Sequence, residues 1–219
     1  MKPVVAIDGP SGAGKSTVAR QVAAALDFEV LDTGAMYRAV TLAALEAHVD
    51  LADEAACAAL AKQVTIEQRG VTTRLDGRDV SAEIRSAAVT AAVSTVSAHP
   101  SVRAVLVEHQ RAWVAARPGG VVEGRDIGTV VFPDAAVKVF LTASEVERAR
   151  RRRDEAHPSA PVGAVQAELE RRDHLDSTRA TSPLQPAPDA LRIDTTDRPV
   201  DEVVRVVVDA FAARTATPR

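Results

Sequence analysis

Between Gly9 and Ser16 the chain reads Gly-Pro-Ser-Gly-Ala-Gly-Lys-Ser. A glycine, four intervening residues and then Gly-Lys-Ser is the pattern of a loop that cradles nucleotide phosphates. The chemistry is electrostatic. Glycines let successive backbone N–H groups close around phosphate oxygens, and the start of a following helix adds favourable dipole charge. Lys15 has the reach to meet the β- and γ-phosphates, and the Ser16 hydroxyl can hold Mg²⁺. Gly9, Pro10, Ser11, Gly12, Ala13, Gly14, Lys15, Ser16 and Thr17 are therefore the expected nucleotide-binding set, with Ser16 as the metal-binding side chain.

Other charged groups fall in patterns that suit a second phosphate. Arg125 and Asp126 follow an apolar run and are bracketed by Gly124 and Gly128. They read either as a structural ion pair at a turn or as an arginine clamp on phosphate with an acid beside it. Arginine fits that task because its planar fork binds phosphate bidentately and keeps its charge. Arg172, Asp176 and Arg179 recur at i, i+4 and i+7, which places them on one face of a helix, whether solvated or functional. From Arg148 to Arg153, five of six residues are arginine. That run is a solvated basic helix or a lid supplying positive charge to a transferring phosphoryl group. Tyr37 and Arg38 lie one helical turn beyond Asp32-Thr33-Gly34. The five histidines are scattered without metal-ligand company. No nucleophile, base and orienter constellation is visible. His109 falls on an apolar stripe with Val102, Val105, Leu106 and Trp113 and is expected to pack in the core. Cys57, the sole cysteine, sits among alanines and is expected to be a small core residue.

The elements that must position these groups alternate. Val4–Asp8 is an apolar run that reads as a buried strand, and Val18, Val22 and Leu26 follow at helical spacing. Residues 29–32 are a second strand, and a helix over about 35–48 follows. Residues 121–123, 137–141 and 190–194 are three more strands, and Val200, Val203, Val204, Val207 and Phe211 mark a last helix. Strands alternating with helices predict a parallel sheet covered by helices. Residues 64–68, 72–75 and the Asp76-Gly77 turn break the alternation and predict a small antiparallel meander. Residues 155–163, with Pro158 and Pro161, predict a mobile loop, and the tail beyond Thr215 is expected to fray. In a parallel sheet ligands bind beyond the carboxyl ends of the strands, so the polar, glycine-bearing segments are expected to meet at one edge.

Composition narrows the class. The chain has 219 residues, 46% hydrophobic but only 3% aromatic, so Ala, Val and Leu must build the core. A formal net charge of −3 gives no electrostatic footprint for nucleic acid. A lone cysteine excludes an internal disulfide and a cysteine-rich metal site. No run has the length to span a bilayer, so neither membrane nor nucleic acid is an expected partner, and a cytoplasmic location is the simplest expectation. On these residues a nucleotide kinase, a kinase of another small acceptor and a nucleotide-dependent switch all remain open.

Three stretches together resemble bacterial-type cytidylate kinases, P-loop nucleoside monophosphate kinases: residues 7–16, residues 31–38 (Leu-Asp-Thr-Gly-Ala-Met-Tyr-Arg) and residues 124–133 (Gly-Arg-Asp-Ile-Gly-Thr-Val-Val-Phe-Pro). Residues 171–179 and Ser182-Pro183-Leu184 extend the likeness over essentially the whole chain. The resemblance implies an α/β P-loop kinase fold with a five-stranded parallel sheet, a small antiparallel insert over about 63–85 and a helical lid over about 147–165, followed by a helix over about 164–179. The remaining core spans residues 1–62, 86–146 and 180–219. It implies transfer of the γ-phosphoryl group of ATP to CMP or dCMP with Mg²⁺, by a monomer. It further implies that Thr33, Tyr37 and Arg38 line the monophosphate site. Arg38, Arg125 and Arg179 would hold the acceptor phosphate, Ser94, Arg103 and Asp126 would read cytosine, and Arg172 and Asp176 would bind the sugar. Lys15, Arg125, Asp126, Arg179 and, within the lid, Arg151 are the expected catalytic set. Thr33 stands where many relatives carry serine; either hydroxyl can donate.

Overall fold

The computed structural model describes residues 2–156 and 160–216. Val4–Asp8 (β1) leads through the glycine loop into Lys15–Leu26 (α1), and Val30–Asp32 (β2) into Thr33–Glu46 (α2). After Glu54–Gln63 (α3) come Ile66–Arg69 (β3), Thr72–Leu75 (β4) and Arg78–Asp79 (β5). Ala87–Ala98 (α4) and Pro100–Ala115 (α5) precede Gly120–Gly124 (β6), a short π turn at Ile127–Val131, and Val137–Thr142 (β7). Glu145–Ala156 (α6), Val162–Thr178 (α7), Leu191–Asp194 (β8) and Val200–Thr215 (α8) complete the chain.

The five long-range strands form one parallel sheet in the order β2-β6-β1-β7-β8. Val4 lies opposite Gly120 and Val5 opposite Val137, so β1 is central and flanked on both edges. Both faces of the sheet are covered, which is why β1 and β6 read as unbroken apolar runs rather than alternating ones. Val4, Ala6, Leu31 and Val122 face a core shared with α2 to α5. Val5, Ile7, Val121, Val139 and Leu141 face the other core, against α1 and α8. With few aromatics, closeness comes from small residues such as Ala19, Ala39 and Ala44, each fully buried. A third, smaller cluster, Ala149, Val165 and Leu169, joins α6 to α7.

The meander expected at residues 64–77 is a three-stranded antiparallel sheet, β3-β4-β5. Asp76 and Gly77 have φ of 51° and 81°, the left-handed pair that a tight hairpin turn of this hand requires. Helix starts are set by capping. Asp32 accepts from Ala35 N at 3.0 Å, so α2 begins at Thr33, two residues before the expected position. The loop expected over 155–163 is shorter than that. Helix α6 carries through Glu155 to Ala156, and Pro161 caps α7, which starts at Val162; residues 157–159 lie outside the described residues, as do 217–219 of the tail. Helix α7 ends at Thr178, so Arg179 is not on its face but adopts an extended conformation just past its end. On α5 it is Gln110, not His109, that is fully buried.

The loop after β1 is held by backbone crowding. Gly9 has φ of +147°, and a Cβ there would lie 2.2 Å from the Leu141 carbonyl oxygen of β7. The approach follows from the ladder, in which Asp8 is opposite Phe140 and the next residue must pass Leu141. Gly9→Ala is expected to cost about 3 kcal/mol or more, from backbone strain plus overlap with main chain that cannot rotate away. Urea unfolding of the two proteins measures this, and equal midpoints would contradict it.

Candidate active site

The carboxyl ends of β1, β2 and β6 open into a cleft of about 540 Å³. Ser11, Gly12, Gly14, Lys15, Ser16 and Thr17 form one side of it. Gly9, Pro10 and Ala13 stand behind that wall. The Gly9 carbonyl accepts from Arg125 Nη1 at 3.1 Å, the Pro10 carbonyl accepts from Lys15 Nζ at 2.7 Å, and Ala13 is buried beneath the loop. Gly12 and Gly14 have φ of 79° and 84°, and Gly14 is the residue from which α1 starts. The loop therefore has the glycine-dependent curvature that turns N–H groups toward a phosphate.

All ten residues expected at the acceptor line the same cleft: Thr33, Tyr37, Arg38, Ser94, Arg103, Arg125, Asp126, Arg172, Asp176 and Arg179. They arrive from α2, α4, α5, the end of β6 and the end of α7. The Thr33 hydroxyl donates to the Glu123 carbonyl at 2.8 Å, tying the start of α2 to β6. Arg38 is held from one side, donating through Nη1 to the Ile84 carbonyl at 3.0 Å and to the Thr90 hydroxyl at 2.9 Å. Arg103 donates to Asp126 at 2.5 Å in a pair that is almost completely buried, and its guanidinium lies 5.3 Å from the Tyr37 ring centre. Arg125 donates to Asp176 at 2.8 Å, and Arg179 sits 3.9 Å from Asp126 and 3.8 Å from Asp176. Arg103 Nε, Arg172 Nε and Arg179 Nη2 are buried without a hydrogen-bond partner. Buried cationic donors left open are costly unless an anion completes them.

The charges perturb one another accordingly. Burial, and then the neighbouring Arg172, Arg152 and Arg85, pushes Arg38 down to about 9. Burial and Arg125 push the Lys15 ammonium down, while burial and Asp32 push the Glu123 carboxyl up. Burial alone would raise Asp176, but Arg125 with Arg179 and Arg172 brings it below the usual carboxylate range. Burial lifts the Tyr37 phenol to about 12, so it stays a neutral hydroxyl.

The arginines of α6 fall into different settings. Helix α6 lies on the glycine loop, where a Cβ on Gly12 would meet the Arg148 backbone at 2.8 Å. Arg148 is buried there, bonded to Asp173 and to the Ser11 carbonyl. Arg151, expected to be catalytic, does not line the cleft. It donates to the Thr195 hydroxyl at 3.0 Å and carbonyl at 2.7 Å and to Glu147 at 2.8 Å, with its guanidinium beside Gly14. One residue on, the helix turns Arg152 into the cleft, where its recorded partner is Glu155 at 3.9 Å.

Two carboxylates were not singled out from the sequence. Glu123, the buried fourth residue of β6, accepts from the Ser16 hydroxyl at 2.8 Å. Asp8, the last residue of β1, accepts from the main-chain N–H of Ile127 and of Gly128, each at 2.8 Å. It thereby ties the root of the phosphate loop to the turn that follows Asp126. Both signals were present, as an acid ending an apolar strand, but an acid there is also what an ordinary strand terminus looks like.

Asp8 makes a pH-dependent contribution. Burial outweighs its two N–H bonds and lifts its carboxyl to about 6 from 3.8. The folded chain then binds the proton better than the unfolded chain, so this contribution to stability is largest at low pH, falls as pH rises from about 4 to 6, and levels off above. Asp8→Asn cannot ionise. The difference in unfolding free energy is expected to move in the variant's favour by about 3 kcal/mol between roughly pH 4 and pH 7. Urea unfolding across pH reads this directly, and a difference flat with pH would contradict it.

The chain can now be set beside known proteins. The family profile described as cytidylate kinase matches residues 5–213. A cytidylate kinase of Rhodococcus jostii (strain RHA1) is 50% identical, over 98% of this chain and 96% of that one. The cytidylate kinase of Mycobacterium leprae (strain Br4923) is 52% identical, over 96% of each. Among solved structures, a gluconokinase from Sinorhizobium meliloti 1021 superposes with a TM-score of 0.51 at 16% identity, over 97% of this chain and 93% of that one, a likeness of fold alone. Matched along nearly its full length by the family profile and by relatives at half identity, the chain belongs to the cytidylate kinase family.

Proposed function

We propose that this chain transfers the γ-phosphoryl group of ATP to CMP or dCMP, giving ADP and CDP or dCDP, with both nucleotides in the one cleft. The observation that carries the reading is the meeting, in that cleft, of the phosphate loop with the arginines around the buried Arg103–Asp126 pair. The donor triphosphate lies on Ser11 to Thr17, and Arg38, Arg125 and Arg179 hold the acceptor phosphate. Arg172 and Asp176 take the sugar. Asp126, Arg103 and Ser94 meet the base: cytosine offers an amino donor beside ring acceptors, and a carboxylate paired with a guanidinium matches that edge.

The acceptor needs no general base. A phosphomonoester has a second pKa of about 6, so its oxygen is largely unprotonated at neutral pH. That oxygen forms the new bond to the γ-phosphorus as the bond to the β–γ bridging oxygen breaks, and ADP leaves with that electron pair. The barrier is the approach of two polyanions, and Lys15 with the arginines offsets it. Arg152, facing the cleft from α6, is the lid side chain that meets the transferring group. The Ser16 hydroxyl and the Glu123 carboxylate form an all-oxygen donor set suited to Mg²⁺, which characteristically takes one or two protein oxygens together with phosphates and water. When bound, that ion would neutralise charge on the β- and γ-phosphates. Among the described residues no helix is long and apolar enough to cross a membrane. We place the activity in pyrimidine nucleotide metabolism in the cytoplasm, carried out by a monomer without nucleic acid.

Release of ADP from ATP and Mg²⁺, measured across CMP, dCMP, UMP, AMP and GMP, tests the substrate; a flat response to CMP and dCMP would sink the reading. In the same assay Asp126→Asn is expected to lower the CMP-to-UMP ratio of kcat/KM by about tenfold or more, since one good base contact discriminates by roughly 1–3 kcal/mol. An unchanged ratio would mean that Asp126 does not read the base. For the lid, Arg152→Ala is expected to reduce kcat by about a hundredfold or more while Arg151→Ala has the smaller effect. The reverse ranking in single-turnover kinetics would return the role to Arg151.

A further inference from the structure

The antiparallel sheet β3-β4-β5 forms a wall of the cleft through Gln68, Gly70, Val71 and Thr73. Leu75 and Ile66 pack that sheet onto the core shared with α2, and one buried amide sets its polar register against β2. Along β3 the side chains alternate, Glu67 and Arg69 outward, Ile66 and Gln68 inward. The inward Gln68 position would ordinarily be apolar, yet it holds a buried polar amide. Its Oε1 accepts from Asp32 N at 3.0 Å, and its Nε2 donates to the Asp32 carbonyl at 2.7 Å.

Asp32 ends β2, and β2 is the edge strand of the parallel sheet. On a strand edge the N–H and C=O of one residue point the same way and need a partner. A primary amide presents one donor and one acceptor side by side, so Gln68 closes on Asp32 as one residue of a sixth strand would. Asp32 is also the residue from which α2 starts: its carboxylate caps Ala35 N, and its other oxygen lies 4.0 Å from Arg85. Thr33, Tyr37 and Arg38 follow directly. The ion pairs of Arg78 with Glu46 and Glu83, which also join this small sheet to the body, are exposed to solvent and are worth little on that account.

We propose that Gln68 is a positioning residue for the acceptor nucleotide, docking the antiparallel sheet onto the edge of the parallel sheet so that wall and α2 keep one spacing across the cleft. The inference rests on reading the cleft as the CMP site. Both side-chain hydrogen bonds of Gln68 go to Asp32, at the start of α2, and not to the phosphate loop between β1 and α1, so the effect should separate between the two substrates.

Steady-state kinetics of wild type, Gln68→Leu and Gln68→Glu, with CMP and ATP varied in turn, tests it. Gln68→Leu loses both bonds and is expected to raise KM for CMP by about tenfold, with KM for ATP changed by less than about twofold. Gln68→Glu keeps the size and an acceptor oxygen but loses the donor, so it is expected to fold normally and to raise KM for CMP by a smaller factor. Amide exchange is expected to quicken in residues 66–79 and at the start of α2, and to be unchanged in β1 and α1. Should Gln68→Leu fail to fold, the glutamate variant alone decides. An unchanged KM for CMP in the folded variants, or equal rises in both KM values with faster exchange throughout, would overturn the proposal. A wild-type protein that fails to phosphorylate CMP would overturn the reading of the site, and this proposal with it.

Discussion

Burial, and then the neighbouring Arg125, makes the charge of Lys15 costly, while Asp176 keeps Arg125 firmly charged. Repulsion of this kind shapes the whole centre. Arg38 is pressed by Arg172, Arg152 and Arg85, and Arg179 by Arg103. Such a cluster is tolerable only because carboxylates are threaded through it: Asp176 against Arg125, Asp126 between Arg103 and Arg179, Glu123 and Asp8 near Lys15. Several guanidinium nitrogens nevertheless stay buried and open. Positive charge already assembled and oriented in this way needs no rearrangement when phosphate charge arrives.

The parallel sheet is what permits so many charges to converge. Strand carboxyl ends all lie on one edge, so the segments after β1, β2 and β6 meet although they are distant in sequence. Two connections then fix the donor and acceptor halves to each other. Gly9 offers its carbonyl to Arg125, and Asp8, its neighbour, grips the turn after Asp126. The phosphate loop and the turn after Asp126 hang from the last residue of the central strand and the glycine that follows it, and a shift of either is felt by the other.

How much of this was legible in the residues depends on the kind of signal. A continuous apolar run marked the central strand β1, buried on both faces, whereas β7 and β8, nearer the edge, were legible as short runs broken by Lys138 and Arg192. Asp76-Gly77 marked the hairpin because few residue pairs accept two positive φ values in succession. The glycine loop was legible for the same reason. That ten dispersed residues would share one cleft was legible only through the resemblance; spacing alone left Arg172 and Arg179 on a common helix face, and that helix stops at Thr178. Which arginine of α6 faces the cleft was not legible. Arg151 and Arg152 are adjacent and chemically identical, and what separates them is the angle at which α6 rests on Gly12. Gln68 gave no signal either, since a glutamine in a short polar strand looks solvated until the strand beside it is known.

The grip of Asp8 has a consequence for how such a sequence can drift. Its two partners are main-chain N–H groups, of Ile127 and Gly128. Every amino acid except proline supplies that group, so the tie survives exchange of the side chain at residue 127 as long as the turn keeps its path. At residue 128 the limit is steric instead, because an added Cβ would press on the Lys138 side chain at 3.2 Å. Heritable variation is thereby steered unevenly: three neighbouring positions share one tie, but the informational burden of keeping it falls on the carboxylate at residue 8 alone.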